Sequence, residues 1–240
     1  MNSVESMVTG DLQELRAFWM GTVGYEEALD KQKELLVARK SNLSPDSLLL
    51  LEHTHVVTLG RRADDTHLLT TRDELLSASI PVFETDRGGE ATYHGPGQLV
   101  CYPIIDVRAA NLGPVTYVRT LEKAIIEVLA HYGLSSYSVD GETGVWAGGI
   151  PDEKRMSGNP SGRKIAAIGV RISNGIAMHG FALNVSTDLS YFRHIIPCGM
   201  PDLNITTLER EIGESVSLRD CAKVTAEKVA DHFGRELTLT

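Results

Sequence analysis

The chain has 240 residues, 42% of them hydrophobic, with a formal net charge of −9 and a pI near 5.4. That is enough apolar material for one well-buried core, and the acidity excludes a phosphate-backbone partner, which needs a dense basic footprint. No apolar run reaches the length of a membrane span, the first fifteen residues hold no apolar signal core, and three cysteines make no disulfide framework. The expectation is a single domain over 1–240 in the cytoplasm, with neither a nucleic-acid nor a membrane partner.

Residues 24–40 set Ala28, Leu35, Leu36 and Val37 among charges, an amphipathic helix. Residues 47–59 read as one strand, strongly apolar in its first half. His53 and His55 alternate on one face of it at metal-like spacing, but no third ligand, Cys-x-x-Cys or His-Glu-x-x-His accompanies them, so neither a metal nor another cofactor is expected. Leu75 and Leu76 mark a short helix, followed by a strand over 81–85.

Then comes "DRGGEATYHGPGQ", residues 86–98, with four glycines, an arginine and a histidine in thirteen positions. It lacks the Gly-Lys-Ser/Thr of a P-loop and the helix that a dinucleotide fingerprint opens, and it feeds an apolar β-prone run at 99–105, so a dipole-based phosphate site is excluded. Val118, Leu121, Ile125, Val128 and Leu129 fall at helical spacing over 115–131, and Gly133 is placed to end that helix. The polar, Gly- and Pro-containing stretch at 148–163 is long for a compact domain and reads as a functional segment, a candidate lid. Ser217 is a plausible N-cap for a last helix reaching Phe233.

"RKIAAIGVRISNGIAMHGFALNV" is two alternating runs joined through Asn174-Gly175, a strong two-residue hairpin signal. Taking those two as the loop, Ser173 faces Ile176, Gly169 faces Gly180 and Ala167 faces Ala182. Four small residues then make a shallow trough, open either to a slender apolar ligand on bare backbone or to a neighbouring strand or helix. The order of elements gives an α+β domain with a largely antiparallel, mixed sheet flanked by helices.

Cys198 lies between Pro197 and Gly199, the setting of an accessible thiol, whereas Cys101 sits in an apolar strand and Cys221 in the last helix. A free thiol is only a few per cent ionised at neutral pH, so a nucleophilic Cys198 needs help. Lys164, opening the first hairpin strand, is the chosen partner: an ammonium within about 4 Å favours the thiolate and can return a proton to a leaving group. Pairing with His94 or His179 is the alternative. Strict alternation puts Lys164 on the face opposite Ala167 and Gly169, and a β-bulge, or a start of regular pairing beyond Lys164, would reconcile them.

Taken together, "RGGEATYHGPGQ", "GRKIAAIGVRI", "MHGFALNV" and "IIPCGM" closely resemble the lipoyl(octanoyl) transferase family. The resemblance implies a fold shared with lipoate and biotin protein ligases, and transfer of an octanoyl group from octanoyl-acyl carrier protein to a lysine on lipoyl domains of 2-oxoacid dehydrogenases and the glycine cleavage H protein. It implies that Cys198 carries the acyl thioester with Lys164 as its activating partner. It also implies that substrate is held by Arg87, Gly88, Gly89, Glu90, Ala91, Thr92, Tyr93 and His94, by Ala167, Ile168 and Gly169, and by Gly180, Phe181 and Ala182, which makes the trough an acyl-chain contact. An ATP-dependent lipoate or biotin ligase and a non-catalytic module binding acyl carrier protein are the rival readings. Arg61, Arg62, Arg163 and Arg193 are the expected docking cations for an acidic carrier.

Overall fold

The computed structural model describes residues 13–149 and 162–240; most of the stretch read as a candidate lid, 150–161, lies outside them. In chain order the elements are β1 (Glu14–Val23), α1 (Tyr25–Lys40), β2 (Asp46–His53), β3 (Val56–Leu59), α2 (Arg72–Ser77), β4 (Val82–Glu84), β5 (Ala91–His94), β6 (Gln98–Ile104), α3 (Pro114–His131), β7 (Ser136–Tyr137), β8 (Val145–Ala147), β9 (Arg163–Ser173), β10 (Ile176–Asn184), α4 (Leu208–Ile212), α5 (Leu218–Phe233) and β11 (Glu236–Leu239). Among the described residues they form an eight-stranded sheet in the order β11-β1-β2-β6-β10-β9-β8-β7 and a small sheet in the order β4-β3-β5. The pairs β1/β11, β1/β2 and β3/β4 are parallel and the rest antiparallel, so the class is the expected α+β.

Local chemistry sets the ends of the helices. Thr71 and Glu74 close a capping box on α2, Pro114 opens α3 with its fixed φ, and Ser217 Oγ accepts from Asp220 N at 3.3 Å to start α5. In the hairpin, Asn174 and Gly175 both take positive φ, 52° and 82°, the primed turn that matches strand twist. The register is the one read from that turn: Ser173 opposite Ile176, Gly169 opposite Gly180, Ala167 opposite Ala182.

The large sheet is covered on both faces, which explains why β2 reads as an unbroken apolar run instead of an alternating one. On one side Leu48, Leu50, Leu99, Cys101, Phe181 and Leu183 pack with α3 and α5; on the other Leu49, Leu51, Val100, Tyr102 and Ala182 pack with α1. The buried stripe of α1 is Tyr25, Ala28, Gln32, Leu35, Leu36 and Arg39, while Val37, counted as part of the apolar face in the sequence, is exposed. Arg39 Nε and Arg235 Nε each meet a different oxygen of buried Asp46 at 2.8 Å, and Asp46 Oδ1 also accepts from Asp106 N, so this interior carboxylate is met by two cations and a backbone donor.

Three expectations change. The strand expected over 47–59 is two strands in different sheets, broken at Thr54 and His55, because the chain crosses from the large sheet to the small one there. His53 and His55 therefore do not share a strand face. The glycine segment is not loop throughout, since β5 forms inside it and pairs with β3. Strands β1, β7, β8 and β11 were not anticipated.

At the junction of the sheets His53 is fully buried, with Nδ1–H donating to Val23 O at 3.0 Å and Nε2 accepting from Tyr102 at 2.8 Å. Burial pushes its pKa down to about 4, and that of neighbouring His94 to about 3. An unfolded histidine takes up a proton below about pH 6.5, so each of these groups stabilises the fold at neutral pH and withdraws that stability as the pH falls toward its folded value. Denaturant unfolding should therefore show His53→Gln losing about 2 kcal/mol less than the parent between pH 7.5 and 5. Equal losses in the two proteins would show that His53 is protonated without cost in the folded state.

Candidate active site

The glycine segment is held in place by Arg87. Its guanidinium is 8% exposed and donates to Thr58 O at 2.8 Å, Thr58 Oγ1 at 2.9 Å, Glu90 O at 2.8 Å and Gly88 O at 3.1 Å. A backbone bond from Gly88 N to Val170 O at 2.9 Å then fastens the segment to β9. Asp86 reaches the other hairpin strand by accepting from His179 Nε2 at 2.7 Å, and it also pairs with Arg171. Burial holds His179 below the usual imidazole range, against the pull of Asp86.

Between this segment and the hairpin lies a cavity of about 450 Å³. Arg87, Gly88, Gly89, Glu90, Ala91, Thr92, His94, Ala167, Ile168, Gly169, Gly180, Phe181 and Ala182 all line it, together with Cys198 and Lys164. Tyr93 stands apart. It is buried on the far side of the small sheet, stacked on Tyr191 with ring centroids 5.1 Å apart and hydrogen-bonded to His55 at 2.7 Å. Strand alternation along β5 separates Tyr93 from Thr92 and His94.

The glycines have a second reason to be glycine. A Cβ on Gly169 would lie 2.9 Å from Gly88 O, and one on Gly180 would lie 2.1 Å from Cys101 O, so in each case neighbouring backbone fills the space a side chain would need. The missing side chains make room for β6 and for the glycine segment, the neighbouring-strand reading of the trough, and both glycines also border the cavity.

Cys198 sits in a tight turn, Pro197–Gly199, at φ 55° and ψ 24°. A left-handed conformation at a cysteine costs energy that the surrounding structure must offset, and it is found where a side chain has to be presented in a fixed direction. Lys164 Nζ donates to Cys198 Sγ at 3.3 Å, and the lysine is only 5% exposed. The expected bulge is present: the β8/β9 register shifts between Val145 opposite Ala166 and Trp146 opposite Lys164. It turns Lys164 into the same cavity as Ala167 and Gly169. The main chain of Lys164 is pinned as well, donating to Asn204 O at 2.7 Å and accepting from Thr206 N at 3.0 Å. Cys101 and Cys221 are fully buried and their thiols are pushed upward by burial, Cys221 to about 12, so neither ionises at neutral pH.

The histidines alternatively considered for the thiol are engaged elsewhere. His94 Nδ1 pairs with Gln98 Oε1 at 2.7 Å, and Gln98 Nε2 continues to Asn184 Oδ1 at 2.9 Å, whose amide donates to Thr206 O. His179 is committed to Asp86. Among the described residues no group of three or more His, Cys, Asp or Glu side chains could hold a metal ion. Of the four arginines expected to dock a carrier, Arg163 is bound to Glu211 and Arg62 to Glu90, while Arg61 and Arg193 are exposed and make no ion pair among the described residues. Sequence reasoning missed Tyr25, Tyr102, Val118, Gly141, Glu142, Thr143 and Met200 in the cavity wall and Trp146 beneath Lys164. Met200 lies beside Cys198 in the quoted motif, and the others come from segments that carry no shared pattern.

Comparison with known proteins places the chain in a family. The lipoyl protein ligase A/B catalytic domain matches residues 24–230. An octanoyltransferase of Acidobacterium capsulatum is 44% identical over 234 residues, covering 92% of this chain and 89% of the relative. An octanoyltransferase of Mycobacterium leprae is 44% identical over 241 residues, covering 100% and 95%. Among solved structures, a bipartite lipoate protein ligase from Thermoplasma acidophilum superimposes with a TM-score of 0.73 at 16% identity, over 95% of this chain and 87% of that one, a likeness of fold alone. The chain belongs to the lipoyl protein ligase A/B catalytic-domain family and, with relatives this similar over nearly all its length, is an acyltransferase of the octanoyltransferase kind.

Proposed function

We propose that residues 1–240 act as one catalytic domain that takes an octanoyl group from octanoyl-acyl carrier protein and delivers it to a lysine of a lipoyl domain, pausing as a thioester on Cys198. The observation that carries this reading is the Lys164 ammonium at 3.3 Å from the Cys198 sulfur, at the wall of a cavity of about 450 Å³ with a glycine- and alanine-rich side. The 2-oxoacid dehydrogenases and the glycine cleavage H protein are the expected sources of acceptor domains, and the reaction is placed in the cytoplasm. No helix of the described residues is long and apolar enough to cross a membrane.

The exchange runs in two halves. In the first, the Cys198 thiolate adds to the carbonyl carbon of the carrier thioester. The tetrahedral adduct expels the carrier sulfur, which takes a proton from the Lys164 ammonium. Backbone N–H groups around Cys198 and in the glycine segment are the donors on hand for the oxyanion. In the second half the acceptor amine adds to the acyl-enzyme carbonyl and gives its proton to the neutral Lys164 amine, and Cys198 leaves as thiolate. Both partners of the dyad return to their starting charge. A thioester is already an activated acyl group, so the scheme consumes no nucleotide and uses no metal.

Mixing the chain with octanoyl-acyl carrier protein should produce a hydroxylamine-sensitive octanoyl adduct, mapped to Cys198 by intact mass and peptide mass spectrometry. Absence of the adduct, with labelling of a lipoyl domain from free octanoate and ATP instead, would support a ligase. Cys198→Ser should lower turnover by about 10³-fold or more with the donor still bound, because a serine hydroxyl is far less ionised. Reversing charge at Arg61 and Arg193 should raise the KM for the acidic carrier several-fold while kcat holds, and the effect should shrink at high salt. Equal loss for an uncharged thioester donor would remove these arginines from docking.

A further inference from the structure

A lysine side chain has four rotatable bonds, yet the proposed exchange needs its terminal nitrogen at one place, as ammonium in the first half and as amine in the second. The structure supplies a seat for it on β8. Trp146 is the direct cross-strand partner of Lys164, and Lys164 Nζ lies 4.9 Å from the centroid of its ring. Trp146 is 0% exposed and Lys164 5%, so the contact is desolvated, the condition under which a cation over an indole face is held most strongly. The indole N–H has no hydrogen-bond partner among the described residues, so the ring offers its face rather than its N–H. No carboxylate of the described residues pairs with Lys164, which leaves the Cys198 sulfur and the ring as the groups that meet this buried charge.

Gly144, the residue before β8, fits the same task. A Cβ on Gly144 would lie 2.6 Å from Lys164 Cε, so that position is open only because it is glycine. Gly144 N is in turn held by the buried Glu122 carboxylate at 3.2 Å, itself paired with Arg119 at 2.7 Å.

We propose that Trp146 is a positioning residue whose indole face carries the Lys164 ammonium and holds it against Cys198 Sγ, an inference that rests on the Cys198–Lys164 reading above. Trp146 acts through Lys164 and does not touch substrate. Removing the ring frees the ammonium from the sulfur and slows every step that uses the thiolate.

The test uses the full-length chain with fluorinated tryptophans, which weaken the electrostatic attraction of the ring face while keeping its shape. The chain has two tryptophans, so the series is made in a Trp19→Phe background. The rate at which iodoacetamide alkylates Cys198, followed by peptide mass mapping, should fall stepwise with each added fluorine, to about tenfold overall. Trp146→Met should cut kcat for octanoyl transfer by about tenfold with KM for the carrier unchanged, and move the acid limb of the pH–rate profile upward; Trp146→Phe should recover most of the loss. In a Lys164→Met background, ring fluorination should have no effect. Alkylation that ignores fluorination while Lys164→Met slows it would overturn the role of Trp146 and leave the dyad standing. Alkylation that ignores Lys164→Met as well would bring down the dyad and this proposal together.

Discussion

A positive charge taken out of water must be met by something, and the site is organised around meeting one. Lys164 is almost wholly buried, and sulfur and indole are what the surrounding elements offer its ammonium. Each nearby irregularity serves that arrangement. The bulge in β9 swings the side chain into the cavity, the bonds to Asn204 and Thr206 fix its backbone, and the left-handed turn at Cys198 brings the thiol to it. A regular strand and a regular turn would have kept the two residues apart. Two departures from ideal geometry, the β9 bulge and the left-handed Cys198, thus meet at the proposed pair.

The second cation of the site is used differently. Arg87 spends its donors on Thr58, Gly88 and Glu90, so it acts as a clamp that shapes the glycine segment before any ligand arrives. Because Arg87 ties β3 to the segment between β4 and β5, and β5 pairs with β3, the small sheet and one wall of the cavity form one unit. The opposite wall is the hairpin, and the link between Asp86 and His179 joins the two across the opening. A pocket with both walls tied in this way does not have to be ordered at each encounter, which lowers the entropic cost of binding.

The sequence disclosed much of this because its strongest signals were local. The Asn174-Gly175 turn fixed the register of the hairpin, and with it the meeting of Gly169 and Gly180. The cap at Ser217 and the glycine after α3 set helix ends by short-range bonds. What stayed hidden depends on partners remote in the chain. The break after β2 falls in the polar run Glu52-His53-Thr54-His55, where the spacing of the two histidines reads as strand alternation and masks the crossing between sheets. The polar members of the buried stripe on α1 are explained only by groups far along the chain: Gln32 accepts from His179 N, and Arg39 pairs with Asp46. Likewise β8 is three residues long, too short for any pattern, so Trp146 became visible only when its ring was found beneath the lysine.

The pairing of Gly169 with Gly180 sets a limit on how this binding chamber can be remodelled. Its wall at those points is main chain, pressed against the Gly88 and Cys101 carbonyls and against the side chains of Arg87 and Pro103. Chambers usually change size by trimming or lengthening a side group, but here there is nothing to trim, and an added methyl would collide with main chain. Any change in the size of the cavity must therefore come from lining positions that carry side groups, such as Tyr25, Tyr102, Val118, Ile168, Phe181 and Met200.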